Sequence, residues 1–461
     1  MLNPDIRNQR LIAGISAGIS SFLTPFMSSS TNIALPAIGA ELNLNAVTLS
    51  WVASVSLLSA GIFILPGGRF ADLYGRRPVF IIGLGVYSLA TIGAVLAHSG
   101  SVLILARLFQ GIGGGLIFST GVAILTGYYH AGSRGLALGI NTAAVYTGLA
   151  LGPALGGLLT GYFGWRAVFA VNLPFSVAAL ITALFLPPDR KQEERTRRFD
   201  FTGAIIYAGA ILSLMLGLTR LPQGDAMLLT SAGILCLLVF GLWELKAFLP
   251  LFPLPLFARN PGFTFANIAA LIHYAATAGS GFLLSLYLQY IKGLSAQSAG
   301  IILVSQPVVM ALFSPITGKI SDRIPARTIA STGMALSSIG LFMFAGLGIK
   351  TPTSLITAGL LFVGLGFALF SAPNTNAVMS AVSEENYATA SATLGTMRLL
   401  GQMLSYGLAM MLIAIFIGNI PLPPAPQPVL LRTIRTAFVL FGALCSIGII
   451  TSLARGRGTT V

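Results

Sequence analysis

Apolar stretches of about 18 to 25 residues recur along the whole of this 461-residue chain, and no other feature limits its fold as strongly. Each is long enough to cross a hydrocarbon core of about 30 Å as a helix. Strands of a membrane barrel would be about 10 residues long with strict apolar–polar alternation, and the chain lacks that pattern. Only 8% of its residues are charged, against about 25% in soluble domains. The 53 glycines suit close helix packing in lipid. These features predict an all-α, multi-pass membrane protein. Fourteen spans are expected, with cores near 11–35, 48–67, 79–97, 102–125, 136–160, 167–187, 202–219, 226–245, 263–290, 298–316, 328–348, 354–378, 389–417 and 436–454. The first stretch is too long for the core of a secretory signal and lacks a cleavage site, so it counts as a span. Cys236 and Cys445 are expected as small buried side chains, with no disulfide framework and no metal site.

The net charge of +14 has an uneven placement. With the N-terminus inside, eighteen Lys and Arg fall in inside segments and six in outside ones: Arg166, Arg220, Lys292, Lys350, Arg432 and Arg435. This positive-inside bias predicts both termini in the cytoplasm and a location in the cell membrane. It explains the basic balance without nucleic acid as a partner. Two arginines, Arg107 and Arg398, remain inside spans.

A short pattern occurs twice. GRFADLYGRRP, Gly68 to Pro78, follows the second span, and GKISDRIPART, Gly318 to Thr328, follows the tenth. Gly68, Arg69 and Asp72 match Gly318, Lys319 and Asp322 in spacing; Gly75, Arg76 and Arg77 extend the first copy and Arg323 the second. Each is read as a short inside loop. Internal symmetry of this kind marks transporters with a central site between two halves. It predicts six-helix bundles at 1–188 and 263–461, a basic linker at 189–201, and two additional helices with a linker at 202–262. The glycine permits a tight turn. The aspartate is placed to accept hydrogen bonds from a helix N-terminus in the opposite bundle. Such loops form a latch that holds one access state and breaks in the other. The plainer alternative is a solvated turn carrying ordinary inside charges.

Several motifs together resemble the major facilitator superfamily, and within it the fourteen-span drug:proton antiporters of the multidrug efflux type. GRFADLYGRR matches that family's loop after span two, and RLFQGIGGG, Arg107 to Gly115, its fourth-span motif. GLALGPALGG, Gly148 to Gly157, matches the fifth-span motif associated with antiporters, and GWRAVFAVNLP, Gly164 to Pro174, the junction that follows. NIALPAI, Asn32 to Ile38, matches the end of the first span, and LYLQYIKGLSAQSAG, Leu286 to Gly300, also reads like this branch. The resemblance covers nearly the whole chain. It implies a monomeric secondary transporter in the lipid bilayer, not an enzyme, that uses the proton gradient and no cofactor to export amphipathic drugs or metabolites by alternating access. One departure matters: the acid that the family carries in its first span aligns with Met27.

None of the twelve acids lies clearly at mid-membrane depth, Glu244 coming nearest. The candidate site is therefore polar but largely uncharged. Ser28, Thr31 and Asn32 share a helix face at i, i+3 and i+4, and that face would line a central cavity. Asn141, Tyr146, Tyr274, Gln306, Asn374 and Gln402 recur at similar depth, and His273 adds a group that titrates near neutral pH. The alternative for the serines is back-bonding to carbonyls one turn earlier, and for His273 plain packing. Arg107 and Arg398 either face the cavity, where they would hold an anion, or snorkel to the surface. Gly148, Gly152 and Gly156 make a flat face beside Pro153, which suits a bent gating helix that seals or rocks against the other bundle. An alternative function stays open: an exporter or flippase of anionic or lipid-like substrates, anchored by the two arginines and independent of a first-span acid.

Overall fold

The structure is a computed structural model that describes residues 4–128, 131–187, 199–221, 224–247, 251–252, 254–321, 324–382, 387–418 and 427–454. Among these residues there is no strand, and fourteen helices are long and apolar enough to cross a membrane. Spans 1 to 4 are Pro4–Glu41, Ala46–Tyr74, Arg76–Val95 and Gly100–Tyr128. Spans 5 to 8 are Ala131–Phe163, Arg166–Leu184, Phe201–Arg220 and Gly224–Glu244. Spans 9 and 10 are Pro261–Ile291 and Ala296–Ser321. Spans 11 to 14 are Ala326–Ala345, Thr353–Ser380, Tyr387–Phe416 and Gln427–Leu453. A short helix, Leu254–Arg259, precedes span 9.

Local chemistry sets where several helices begin. Asn45, Asp200, Asn260 and Ser295 precede spans 2, 7, 9 and 10, and each side-chain oxygen accepts from the amide three residues on. Glycine then sets the closest crossings. A Cβ at Gly111 of span 4 would sit 2.1 Å from the Ser56 carbonyl of span 2, and one at Gly113 would sit 2.6 Å from the Gly83 carbonyl of span 3. The glycines of RLFQGIGGG therefore seat one helix against two neighbours.

Span 1 packs on spans 4, 5 and 6, and span 3 on spans 4 and 6. In the second half of the chain, span 12 packs on spans 10 and 11, and span 14 on spans 9 and 11. The first six and last six spans meet where span 1 touches span 9, span 5 touches span 10, and span 2 touches span 13. Spans 7 and 8 pair with each other, and span 7 also lies against spans 2 and 13.

Three expectations change. GRFADLY is not a loop: span 2 stays helical to Tyr74, with Gly67 and Ala71 buried, and only Gly75 breaks it, at φ 101°. Gly318 and Lys319 are likewise the helical end of span 10. Packing continues past the apolar core, so the helix does too. Glu41 and Asp225, outside the expected cores near 11–35 and 226–245, are helical: the last residue of span 1 and a first-turn residue of span 8. Asp322, Arg323 and the linker residues 189–198 lie outside the described residues.

Candidate functional site

The polar run of span 1 is divided among its neighbours, because successive helical residues point about 100° apart. Ser29 Oγ donates to the Pro25 carbonyl at 2.8 Å, and Ser30 Oγ to the Gly152 carbonyl of span 5 at 3.0 Å. Thr31 turns back onto the Met27 carbonyl at 2.6 Å and is fully buried. Asn32 crosses to span 13, its Nδ2 donating to the Tyr406 hydroxyl at 3.0 Å, and Ser28 lies against the same hydroxyl. So Ser28 and Asn32 meet the other half of the chain, while Thr31 satisfies itself on its own helix.

A second cluster joins five spans at mid-depth. Tyr146 of span 5 donates to Ser371 Oγ of span 12 at 3.3 Å, and Tyr274 of span 9 lies against the same serine. The Tyr274 and Phe367 rings meet edge-to-face at 5.2 Å, and Met310 of span 10 packs with them. Arg398 of span 13 donates through Nη2 to Thr375 Oγ1 at 2.6 Å, and its guanidinium carbon lies 5.8 Å from the Tyr274 ring centre. It is therefore held inward and does not snorkel. Its Nε is buried without a hydrogen-bond partner. Among the described residues the ion pairs are Arg166–Glu41 and Arg220–Asp225, so no carboxylate of the described residues pairs with Arg398. Asn374, beside Thr375, is 1% exposed, and neither atom of its amide has a partner. His273 is buried among rings, 4.1 Å from Phe370 and 5.3 Å from Phe367 between centroids.

Helix breaks accompany this cluster. Span 9 is interrupted at Ala278–Gly279, where the Gly279 amide donates to Ser405 Oγ of span 13 at 2.8 Å. Span 10 is interrupted at Val304, two residues before Gln306. Broken helices inside a membrane persist only where another group satisfies the freed backbone.

Arg107 has a different role from Arg398. Its Nε donates to the Val52 carbonyl of span 2 at 3.2 Å and its Nη1 to Gln110 Oε1 at 2.9 Å; Gln110 Nε2 donates to Thr91 Oγ1 of span 3 at 2.8 Å. At 2% exposure it does not reach the surface but ties spans 2, 3 and 4 together. Asn141 accepts from Ser21 Oγ at 2.6 Å, and Gln306 and Gln402 are half-buried. Ser371, Thr375, Phe367 and Met310 were missed from sequence. Ser371 and Thr375 are one turn apart in FSAPNTN, a spacing that places two hydroxyls on one face.

The gating face turns towards its own half. Added Cβ atoms at Gly148 and Gly156 would lie 2.7 Å from the Phe22 carbonyl and 2.8 Å from Ser30 Cα, and one at Gly152 would run into Ser29 Oγ, all on span 1. The positions beside that face cross to span 10. A Cβ at Gly157 would sit 2.6 Å from the Ala296 carbonyl, and one at Gly300 would sit 2.1 Å from the Pro153 carbonyl. Near the Glu41 end, Ser285 Oγ donates to the Asn32 carbonyl at 2.6 Å and Gln289 Nε2 to the Ile33 carbonyl at 3.1 Å. Trp165 Nε1 donates to Glu41 Oε2 at 2.9 Å and Arg166 pairs with the same carboxylate, which clasps span 1 to span 6. At the opposite end Arg76 and Arg77 donate to the Ala123 and Leu184 carbonyls at 3.1 and 2.8 Å, within the first half. Asp72 is exposed and bonds to none of the described residues.

Fourteen apolar helices, the first six and last six meeting around a buried polar cluster, define a multi-pass transport protein of the cell membrane. The chain belongs to the Major Facilitator Superfamily, whose model matches residues 17–284 and 266–458. It is 29% identical over 391 residues to the riboflavin transporter RibZ of Clostridioides difficile, covering 85% of each chain. It is 30% identical to the multidrug resistance protein Stp of Mycobacterium tuberculosis, across 86% of this chain and 74% of Stp. It is 32% identical to the cephamycin export protein CmcT of Amycolatopsis lactamdurans, across 86% and 83%. Among solved structures, an inward-facing bacterial homologue of the lysosomal transporter Spinster aligns with TM-score 0.70 at 16% identity, covering 99% of this chain and 98% of that one. The family is one of transporters, not enzymes.

Proposed function

We propose that this protein is a proton-coupled exporter of amphipathic drugs or metabolites that works as a monomer by alternating access. The moving parts are bundles at 1–188 and 263–461, joined through the linker at 189–201 and the two additional helices within 202–262. The mid-depth cluster carries this reading, because Tyr146 comes from the first half and Tyr274, Ser371 and Arg398 from the second. A ligand there would touch both halves, which is what coupling their motion to transport requires. The positive-inside bias places the termini in the cytoplasm. The seal at the Glu41 end then faces outside, and the disengaged Asp72 faces the cytoplasm, as in an inward-open state. Relatives named for drug resistance and antibiotic export support the outward direction.

Met27 leaves the middle of the first span without an acid, and Glu244 lies away from the cluster, bonded to the Phe252 amide at 2.9 Å. His273 is a histidine packed against Tyr274 and Phe367 of the cluster, so it is the first residue to substitute in tests of coupling. The deciding experiment is transport in proteoliposomes under an imposed pH gradient, following an amphipathic dye and internal pH together. Dye movement that collapses the gradient is expected. Dye movement indifferent to the gradient would refute proton coupling, and no movement would refute the exporter.

A further inference from the structure

We infer that the transported compound is a planar aromatic anion, its ring set among Tyr146, Tyr274 and Phe367 and its anionic group on Arg398. This rests on the reading of the mid-depth cluster as the transport site. A guanidinium offers five donors in a rigid fork that matches a carboxylate or similar oxyanion in two-point contact. Arg398 directs one described bond to a neutral hydroxyl, Thr375 Oγ1, and keeps a buried Nε with no partner. A buried charge without a counter-charge is costly, and in membrane helices such residues mark substrate paths. Arg107 is not an equivalent anchor, because Val52 and Gln110 already hold it.

Asn374 is the second observation. Both atoms of its amide are buried without partners, and buried unsatisfied groups are uncommon enough to need a cause. It lies one turn along span 12 from Phe370, whose ring packs on His273 of span 9, so it is on the face turned towards span 9. A ligand carrying both a donor and an acceptor beside its anionic group would satisfy it. The aromatic side is equally specific: Tyr274 and Phe367 present an edge-to-face pair, and Tyr146 closes on them through Ser371. Ligand sites are lined mainly by apolar and aromatic side chains, with a few placed polar groups that fix orientation. A cationic ring would meet the like charge of Arg398 with no carboxylate of the described residues to offset it. A lipid chain would leave the ring-lined side without a matching plane.

The probes are fluorescein, a planar anion, and ethidium, a planar cation. Binding to detergent-purified full-length protein is read by fluorescence anisotropy, and transport by uptake into inside-out proteoliposomes with a pH gradient. Saturable fluorescein binding that ethidium does not displace is expected. R398Q should weaken it about tenfold or more, and R398K less, since the charge remains but the fork is lost. N374L should weaken fluorescein binding severalfold while the purified protein stays monodisperse. Ethidium binding more tightly than fluorescein, or fluorescein binding that is absent or unchanged in R398Q, overturns the anion. Fluorescein bound but not moved upholds the ligand class and overturns the transport reading. Ethidium moved while fluorescein neither binds nor moves upholds transport and overturns this inference.

Discussion

Adding one methyl group at Gly300 should part spans 5 and 10 at the sealed end. The new Cβ would lie 2.1 Å from the Pro153 carbonyl oxygen, whereas a relaxed carbon–oxygen contact is about 3.3 Å or more. The obstacle is backbone, so no side-chain rotation relieves it, and the two helices must separate by more than about 1 Å. Overpacking of that kind costs about 1–3 kcal/mol. The clash exists only while the spans touch, so under the alternating access proposed above the cost falls on one state alone. A difference of that size changes the ratio of states about 5- to 150-fold. Spin labels at Tyr162 and Ile301, both exposed, report the gap by pulsed dipolar spectroscopy in a variant with Cys236 and Cys445 replaced. Gly300→Ala should move the distance distribution to longer values with little change in thermal stability. Gly85→Ala, where a Cβ meets nothing within 4 Å, should leave the distribution alone. An unchanged distribution, or lost stability with no shift in distance, would refute the argument.

Other substitutions separate state-specific contacts from those present throughout. Gly111→Ala would place a Cβ 2.1 Å from the Ser56 carbonyl, inside one half, so it should lower the melting temperature in every state by the equivalent of about 3 kcal/mol; a variant as stable as the parent would contradict the packing of spans 2 and 4. Ser285→Ala removes the bond to the Asn32 carbonyl and should shift the same spin-label distances outwards, at about 1 kcal/mol, with no shift counting against a seal there. Trp165→Phe loses the partly exposed bond to Glu41 and should cost about 1 kcal/mol in thermal stability; a loss of transport without a loss of stability would give this clasp a different role.

The apolar lengths were enough to place fourteen spans, because crossing a hydrocarbon layer constrains length and composition locally. Side-chain partners were less legible, since they depend on residues far along the chain. The i, i+3, i+4 spacing grouped Ser28, Thr31 and Asn32, but only the position of Tyr406 decides that Asn32 crosses to span 13. The glycine row in span 5 was visible, yet its partner is span 1, and the crossing to span 10 belongs to Pro153 and Gly157. Arg107 and Arg398 looked equivalent by type and depth. Gln110, three residues after Arg107, was a local sign that one of them would be held on its own helix. The repeated motif was legible as a repeat but not as helix, because its charged residues disguise the buried position Ala71.

The two seams between the halves are not built alike, and the difference predicts how they move. At one, span 5 meets span 10 with glycine against backbone carbonyls, at Gly157 and Gly300, and span 1 lies against both. At the other, span 2 meets span 13, and span 7 touches both. The Tyr207 hydroxyl donates to the Gly61 carbonyl of span 2 at 3.0 Å, and a Cβ at Gly407 of span 13 would lie 3.0 Å from Met215 of span 7. Gly61 in turn faces Met403 of span 13, so an added helix bonds into this seam. Methionine is adaptable and can repack as helices slide, but the Tyr207 bond ties span 7 to the first half. Span 7 should therefore travel with span 2 and limit the displacement of span 13. Labels across the 2/13 seam should report a smaller substrate-induced change than labels across the 5/10 seam. Tyr207→Phe, which removes a bond worth about 1 kcal/mol, should bring the two changes closer together. Equal changes at both seams in the parent protein would show that the added helices ride passively beside the bundles.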